Sequence, residues 1–359
     1  MFNWVRTTQT ALRLALLLLG IASTVFAATA EELNRSVLQL TGQTMGSLYT
    51  VKLVECSLSP EQLNQLRDEL DARVTEINRQ MSHYLPASDL SKFGRGPANH
   101  PFKILPEFAE VVRFALNLNK KSGGLFDPTI GPLIDLWGFG PKGKRDNPPT
   151  DAELAAVKRI IGAGHLQLTA NHELIKDIPE LQLDLGSITK GYAAREMARI
   201  LLRHSVTNFY VAISGEVYVH GLGPAGPDWR IGIDEPYFDA AAGEHISVVA
   251  HLTNCAVSTS GNYRKYFRDA NNRVYSHIID PLTGRPTTNN LASVTVVTPD
   301  TELADGVATT AYLLGPERGL EFIENMKNAS AFFIVRNADG SFKRFASKRF
   351  PKYEISSGQ

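Results

Sequence analysis

The sequence predicts an α+β fold in a single domain, because helical and strand-like segments mix along it without a regular βαβ repeat. Of its 359 residues, 43% are hydrophobic, which is enough apolar material for a substantial core. No internal repeat, low-complexity tract or linker divides the chain. Acidic and basic residues number 37 each, so no basic excess is present to neutralise the phosphates of a nucleic acid.

The N-terminus has the pattern of a secretory signal peptide over residues 1–27. Arg6 and Arg13 precede the apolar run LALLLLGIASTVFA, which ends in a cleavage pattern. An uncleaved membrane anchor is the alternative, since the apolar stretch continues to Ala30. No cysteine lies near the cleavage point, so we expect a periplasmic protein, not a lipoprotein, with its domain over residues 28–359.

The mature chain retains two cysteines, Cys56 and Cys255. They could pair in an oxidising compartment, but two cysteines so far apart in sequence make no disulfide framework. The sequence predicts that both are small buried residues and leaves their pairing open.

The first part of the domain is predicted to hold a strand and two helices. Residues 40–55 have the pattern of one strand interrupted by glycines, and Ser59 with Gln62 then forms the capping box of a helix. A second helix is predicted over residues 106–122, up to a pair of glycines. Apolar residues at three- and four-residue steps define the buried face of the first helix: Leu63, Leu66, Leu70, Val74, Ile77 and Met81.

The rest of the domain begins with a long loop rich in glycine and proline, residues 125–150, of a length typical of functional loops. Residues 151–161 are predicted to be helical, and residues 181–204 to form a strand, a glycine turn and a helix. Strand-like alternation then continues to about residue 299. A helix over residues 301–314 ends at a Gly-Pro pair, and a further helix and one or two strands complete the chain.

A candidate cation site lies in the segment ELADGVATTAYLL. Asp305 and Thr309 are four positions apart, which places both side chains on one face of a helix. A carboxylate and a hydroxyl form part of the oxygen shell that Mg²⁺ prefers. The simpler alternative is a helix start with a solvated aspartate and a threonine bonded to its own backbone.

The segment DLGSITKG supplies complementary chemistry. Asp184 is predicted at a strand exit, Gly186 permits close approach of a ligand to the backbone, and Ser187 is a possible helix cap and cation ligand. Lys190 lies near the helix start, where a cation opposes the helix dipole. An anionic ligand at this helix end would explain the lysine, and an ordinary exposed lysine is the alternative.

His277 is predicted to lie inside a strand in the segment YSHIIDPLTGRP, on the same face as Tyr275 and Ile279. An imidazole can transfer protons near neutral pH, although a structural role is the alternative. Asp280 is predicted to form the turn that follows. Aromatic and methionine side chains in or beside the glycine-rich loops could hold a flat ligand: Met45, Tyr84, Phe126, Trp137 and Phe139.

Seven segments, in order from about residue 40 to residue 315, resemble the motifs of one family, the FAD:protein FMN transferases or ApbE family. They are TGQTMGSLYT, MSHY, GGLFDPTIGPLIDLWGFGP, LDLGSITKGYAA, STSGNYRKYF, YSHIIDPLTGRP and SVTVVTPDTELADGVATTAYLLG. The resemblance implies a single flavin-transferase, T-fold-like α+β domain with mixed sheets and flanking helices. It also implies that FAD binds in a cleft and that Mg²⁺ is required.

The resemblance further implies transfer of the FMN half of FAD to a threonine hydroxyl of an exported flavoprotein, with release of AMP. The acceptor would carry a Ser/Thr-Gly-Ala-Thr-like motif, and transient contact with membrane redox complexes is possible. His277 would be the base, and Asp305, Thr309 and the Ser187 region would hold Mg²⁺. The FAD contacts would be Met45, Tyr84, Leu125, Phe126, Asp127, Asp184, Lys190 and Ile278.

Two departures from the family pattern stand out. Many relatives have Gly-Gly before an acidic residue where this chain has Ser214, Gly215 and Glu216, and some carry an acidic metal ligand at the position of Ala308. The alternatives are an Mg²⁺-dependent FAD pyrophosphatase that uses water as nucleophile, and a non-catalytic flavin-binding protein. A generic solute-binding protein is not expected, because two similar lobes are not visible in the sequence.

Overall fold

The computed structural model describes residues 35–145 and 147–356 of the chain. The predicted signal peptide, residues 1–27, and the predicted start of the domain at residue 28 lie outside the described residues. Within the described part, helices and sheets combine without a βαβ repeat, so the predicted α+β fold is confirmed.

The described helices are α1 (Pro60–Met81), α2 (Asp89–Arg95), α3 (Pro106–Lys121), α4 (Gly131–Leu136), α5 (Asp151–Val157), α6 (Gly186–Arg203) and α7 (Thr301–Glu324). The first strands are β1 (Val37–Thr44), β2 (Ser47–Val54), β3 (Phe102–Lys103), β4 (Leu166–Leu168), β5 (Glu173–Lys176), β6 (Phe209–Ile213), β7 (Glu216–His220), β8 (Trp229–Asp234) and β9 (Ile246–Leu252). The others are β10 (Cys255–Gly261), β11 (Tyr266–Arg268), β12 (Val274–Ser276), β13 (Ile279–Asp280), β14 (Arg285–Pro286), β15 (Leu291–Thr298), β16 (Ser330–Arg336), β17 (Phe342–Ala346) and β18 (Tyr353–Ile355).

The main sheet has eight strands in the order β1-β2-β6-β7-β10-β15-β16-β17. Two three-stranded sheets, β18-β9-β8 and β3-β5-β4, and the hairpins β11-β12 and β13-β14 accompany it. Each pairing between these described strands is antiparallel, which refines the expectation of mixed sheets. Short hairpin connections, such as β6 to β7 and β16 to β17, account for much of this arrangement.

The long helices form a layer on the main sheet. Helix α7 packs on β10, β15 and β16, α6 packs on β6 and β7, and the two helices pack on each other. Strand β15 is buried at every residue, because it lies inside the main sheet between β10 and β16 and helix α7 packs on it. This layered packing brings the start of α6, the first turns of α7 and the start of β7 close together.

Several predicted elements match the structure. The capping box of Ser59 and Gln62 at the start of α1 is present, and α3 and α5 begin at or near the predicted residues. In α7, Gly315 leaves the helical conformation with φ of 79°, at the predicted Gly-Pro break, and helix resumes with Pro316.

Other predicted elements are wrong in detail. Residues 40–55 form a hairpin instead of one strand, because Met45 and Gly46 both take positive φ, 52° and 70°, and reverse the chain. Residues 181–185 are not a strand, since only Gln182 forms a bridge, to Ile130. Helix α4 lies inside the segment predicted to be a loop, and α2 was not predicted.

The two cysteines differ in their burial. Cys255 is buried as predicted, whereas Cys56 is only half-buried, and both are free thiols. Burial raises the pKa of the Cys255 thiol to about 11.

Among the described residues, no helix has the length and apolar character needed to span a membrane.

Candidate active site

Three side chains from three elements form a charged cluster: Lys190 of α6, Glu216 of β7 and Asp305 of α7. Lys190 Nζ donates a hydrogen bond to Glu216 Oε1 over 2.6 Å and lies 3.7 Å from Asp305 Oδ2. The first contact is a charge-assisted hydrogen bond, and the second is an ion pair too long for a hydrogen bond. The structure therefore brings together the predicted anion-binding lysine and the predicted metal-binding aspartate.

Burial dominates the electrostatics of the charged cluster. Asp305 is 5% exposed and Glu216 is 7% exposed. Asp305 Oδ2 and Glu216 Oε2 have no hydrogen-bond partner among the described residues. Burial raises the pKa of Asp305 well above its ordinary value, while the charge of Lys190 lowers it only in part and Glu216 raises it further. Burial by itself would lower the pKa of Lys190, but the charges of the two carboxylates outweigh it and the pKa is raised.

Thr309 follows Asp305 by one turn of α7, so the prediction that both residues belong to one helix is confirmed. Its hydroxyl oxygen lies 3.3 Å from Ser260 Oγ on β10. Within the described part of the chain, no three His, Cys, Asp or Glu side chains come together to hold a metal. A cation here would therefore use one carboxylate, a hydroxyl, main-chain oxygens and water. This all-oxygen set, with the unpartnered Asp305 Oδ2 as its first ligand, fits a hard cation such as Mg²⁺.

Ser187 is the second residue of α6, and the prediction that it caps this helix is wrong. The cap position is Leu185, which makes no side-chain cap hydrogen bond. Asp184 takes over part of this role, because its Oδ1 accepts a hydrogen bond of 2.8 Å from the backbone N–H of Gly186. The metal role of Ser187 stays a prediction.

Asp184 ties three segments of the site together. Its backbone N–H donates to Pro128 O over 2.8 Å, which joins the 125–130 loop to the start of α6. Its Oδ1 lies 3.6 Å from His83 Nδ1, and the His83 ring packs against Tyr84 with centroids 4.3 Å apart. Asp184 does not leave a strand, as the sequence suggested, but follows the single bridge residue of the 181–185 segment.

The three predicted FAD contacts of the 125–130 loop differ in accessibility. Leu125 is half-buried, whereas Phe126 is 5% exposed and belongs to the main core. Asp127 Oδ1 accepts hydrogen bonds from the backbone N–H and the hydroxyl of Thr129, over 2.8 and 2.7 Å. Burial raises the pKa of Asp127, although these hydrogen bonds oppose the rise. In this structure Asp127 therefore shapes its own turn, and its contact with FAD stays a prediction.

The remaining predicted flavin contacts are dispersed. Met45 lies in the β1–β2 turn with its side chain packed on the main core, and Ile278 is 6% exposed. Trp137 is 1% exposed, so it packs in a core instead of offering a free ring. Tyr84 is 51% exposed, and its hydroxyl donates to Phe139 O over 3.3 Å. Of these side chains, Tyr84 is the one most open to a ligand.

His277 occupies a bend between β12 and β13, so its predicted place inside a strand is wrong. Its Nδ1 lies 3.0 Å from the main-chain oxygen of Lys265, and its backbone N–H donates to the same oxygen over 3.1 Å. A carbonyl can only accept, so Nδ1 carries the proton and the Nε2 lone pair of the neutral ring is available to accept another. Phe139 packs edge-on against the ring, with centroids 6.2 Å apart.

The pKa of His277 is lowered to about 4, first by burial and then by the positive charge of Lys265. Lys190 adds a smaller lowering, which places the charged cluster within electrostatic range of the imidazole. Lys265 Nζ also lies 3.4 Å from Phe139 O, the oxygen that Tyr84 contacts. Lys265 and Tyr84 thus meet at one main-chain oxygen beside the histidine, Lys190 lies within electrostatic range, and burial with these charges keeps the imidazole neutral.

Comparison with known proteins identifies the family. The model of the ApbE family matches residues 45–333, which includes all the site residues described above. The chain belongs to the ApbE family. A curated relative from Vibrio cholerae, named FAD:protein FMN transferase, is 38% identical over 94% of this chain and 98% of its own length. The ApbE family is therefore a family of transferase enzymes, as the motifs implied.

Solved ApbE structures have the same fold. The flavin transferase ApbE from Vibrio cholerae superposes with a TM-score of 0.79 at 37% identity, over 88% of this chain and 98% of that protein. The apo form of the flavinyl transferase ApbE from Pseudomonas stutzeri has a TM-score of 0.76 at 36% identity, over 88% and 95% of the two chains. The resemblance drawn from the motifs is thereby confirmed for the family and its fold.

Two residues of the ApbE site were not predicted from the sequence. Glu216 was noted only as part of a departure from the family pattern, yet it makes the shortest contact of the charged cluster. Lys265 lies in the motif STSGNYRKYF, and it both holds and electrostatically tunes His277. The sequence did carry a signal for Glu216, because the Ser-Gly pair before it marks a turn and glutamate is disfavoured in the strand that follows. In the structure Ser214 has φ of 56° and Glu216 begins β7 at a buried position.

Proposed function

We propose that this protein transfers the FMN half of FAD to a threonine hydroxyl of an exported flavoprotein and releases AMP. The observation that carries the proposal is the buried charged cluster of Lys190, Glu216 and Asp305 in electrostatic range of a neutral His277. A relative that matches nearly the whole chain is named FAD:protein FMN transferase, which supports the same reaction.

The charged cluster provides the chemistry that a diphosphate requires. Asp305 and Thr309, with oxygen atoms near Ser187, would hold Mg²⁺. A bound Mg²⁺ supplies positive charge that stabilises the charge developing on the diphosphate oxygens. Lys190 provides a second positive charge beside the same group.

His277 would act as the general base. Its free Nε2 accepts the proton of the threonine hydroxyl, which is a weak nucleophile without such help. The threonine oxygen then forms a bond to the phosphorus of the FMN half while the bond from that phosphorus to the AMP oxygen breaks. AMP leaves with the electron pair, and FMN remains attached to the acceptor through a phosphoester.

We also propose that the reaction takes place after export. The pattern of residues 1–27 favours a cleaved signal peptide and a periplasmic protein without a lipid anchor. The acceptor would then be an exported flavoprotein subunit with a Ser/Thr-Gly-Ala-Thr-like motif, in transient contact with this enzyme.

The test is to incubate the mature protein with FAD, Mg²⁺ and a candidate exported flavoprotein, and to measure the intact mass of the acceptor. We expect an added FMN, lost when the acceptor threonine is changed to valine, when EDTA is added, or in the variant His277→Ala. His245→Ala is the matched control, because the side chain of this exposed histidine contacts Glu244 and packs on Tyr237, away from the charged cluster. FMN found only in solution would indicate a pyrophosphatase. FAD binding without any turnover would indicate a flavin-binding protein.

A further inference from the structure

Lys190 is shared unequally between two carboxylates. Its Nζ lies 2.6 Å from Glu216 Oε1 but 3.7 Å from Asp305 Oδ2, so only Glu216 is hydrogen-bonded to it. We propose that Glu216 is a positioning residue that holds the Lys190 ammonium away from Asp305 and so leaves Asp305 free to bind the cation. This inference rests on the proposed role of Asp305 as an Mg²⁺ ligand.

The backbone and burial of Glu216 hold its carboxylate in a fixed position. It is the first residue of β7, directly after the turn at Ser214 and Gly215, and it is 7% exposed. A strand residue at a buried position moves little, whereas the long side chain of Lys190 can turn toward either carboxylate. The position of the ammonium is therefore set by which carboxylate attracts it more strongly.

Asp305 shows the consequence of this arrangement. Its Oδ2 has no hydrogen-bond partner among the residues that the structure describes, although it is buried and an ammonium lies nearby. An ammonium in full contact with Asp305 would neutralise it and compete with a divalent cation for the same oxygen. With an effective dielectric constant of about 20, shortening this ion pair by about 1 Å would weaken cation binding roughly tenfold.

The proposal predicts a specific pattern among variants. Glu216→Gln keeps the size of the side chain but removes its charge, so Lys190 should move onto Asp305 and cation affinity should fall about tenfold. Adding Lys190→Met to Glu216→Gln removes the competing ammonium and should restore the affinity to the original value or above. Lys190→Met alone is the reference, because removing an ammonium favours a bound cation in any background. The positioning role requires that the gain from Lys190→Met be larger in Glu216→Gln than in the unmodified protein.

The experiment measures Mn²⁺ binding to the mature protein without FAD, from the free-ion signal in electron paramagnetic resonance, and Mg²⁺ binding by calorimetry. Glu110→Gln is the matched control, since this exposed glutamate pairs with Arg195 outside the site. Thermal unfolding of each variant shows that it is folded. If Glu216→Gln does not fold, Glu216→Asp keeps the charge with a shorter reach, and its affinity should fall by less than tenfold and again recover with Lys190→Met.

The outcomes separate this inference from the proposed function. Weakened binding in Glu216→Gln, with a gain from Lys190→Met that is larger in that background than in the unmodified protein, supports the positioning role, and equal gains in the two backgrounds overturn it. Unchanged affinity in Glu216→Gln overturns it, and equally weak binding in Glu216→Gln and the double variant overturns it in favour of Glu216 as a direct ligand. Absence of binding in the unmodified protein, or binding that survives Asp305→Asn, contradicts the proposed cation site itself and the inference with it.

Discussion

The pH dependence of the reaction tests the state of His277 directly. Because burial and the charge of Lys265 lower its pKa to about 4, the imidazole stays neutral and able to accept a proton well below neutral pH. At pH 5.5 a histidine with the ordinary pKa of about 6.5 is neutral in about a tenth of molecules. With a pKa of about 4, His277 is neutral in about 97% of them.

The assay is the rate of FMN transfer at low FAD concentration and saturating Mg²⁺ across pH 4 to 8, since kcat/KM reports the ionisation of the enzyme without FAD and a bound cation keeps Asp305 ionised. We expect an acidic limb with a midpoint near 4, and activity at pH 5.5 close to its plateau. The Cε1 proton of His277, followed by NMR, should titrate at the same midpoint.

The variant Lys265→Met separates the two causes of the lowered pKa. It removes the positive charge but keeps the main-chain oxygen that accepts from Nδ1, so the midpoint should rise and yet stay below 6.5, because burial is the larger cause. Lys343→Met, on the exposed β17, is the control and should leave the midpoint unchanged. A midpoint near 6.5 in the unmodified protein, or no shift in Lys265→Met, would refute this reasoning.

Three further substitutions test the cation site and two buried hydrogen-bonding side chains. Asp305→Asn should lower the transfer rate at least about 100-fold and make the remaining rate insensitive to EDTA, measured as initial rates with and without the chelator. Lys176→Met should lower the free energy of unfolding by about 3 kcal/mol in urea, since the buried ammonium donates to three main-chain oxygens; an unchanged urea midpoint would contradict this. Trp137→Phe should cost about 2 kcal/mol by the same assay, because it removes the 2.8 Å hydrogen bond to Gly284 O; a loss below about 0.5 kcal/mol would show that this bond contributes little.

Local signals in the sequence predict the long helices of this fold well. The capping box at Ser59 and the apolar period that follows it describe α1 from end to end, because both depend only on residues within a few positions of each other. The Gly-Pro pair after residue 314 likewise identifies the break in α7, since it acts through its own backbone.

Prediction of a strand fails where apolar and polar residues alternate because one side is buried, although the backbone does not pair with another strand. Leu181, Leu183 and Leu185 are at most 2% exposed, so their alternation with polar residues is a true sign of one buried side. The segment is nevertheless not a strand, because only Gln182 finds a bridging partner. The hairpin at Met45 was missed for a different reason. Met45 takes a positive φ, but methionine is not a residue type that signals a turn in the sequence.

The candidate site was predictable only as far as its parts are local. Asp305 and Thr309 share a helix and could be paired by their spacing. Glu216 meets Lys190 from a position 26 residues away, and the main-chain oxygen of Lys265 meets His277 from 12 residues away. The first contact depends on how β7 packs on α6, which no short-range pattern encodes. The second depends on the register of the β11–β12 hairpin, in which Lys265 and His277 directly flank the pair Tyr266–Ser276.

A role in the reaction explains the charged cluster better than a role in stability, because burying charged groups costs desolvation free energy. Two carboxylates that are 5% and 7% exposed, each with an oxygen that has no hydrogen-bond partner among the described residues, have lost hydration that one lysine replaces only in part. Apolar side chains of similar size would pack between α6, α7 and β7 without this desolvation cost. Protonation of Asp305, whose pKa burial raises, relieves that cost in the absence of a ligand, and a bound cation relieves it with both carboxylates ionised. An enzyme that acts on a diphosphate uses such a cation for its reaction.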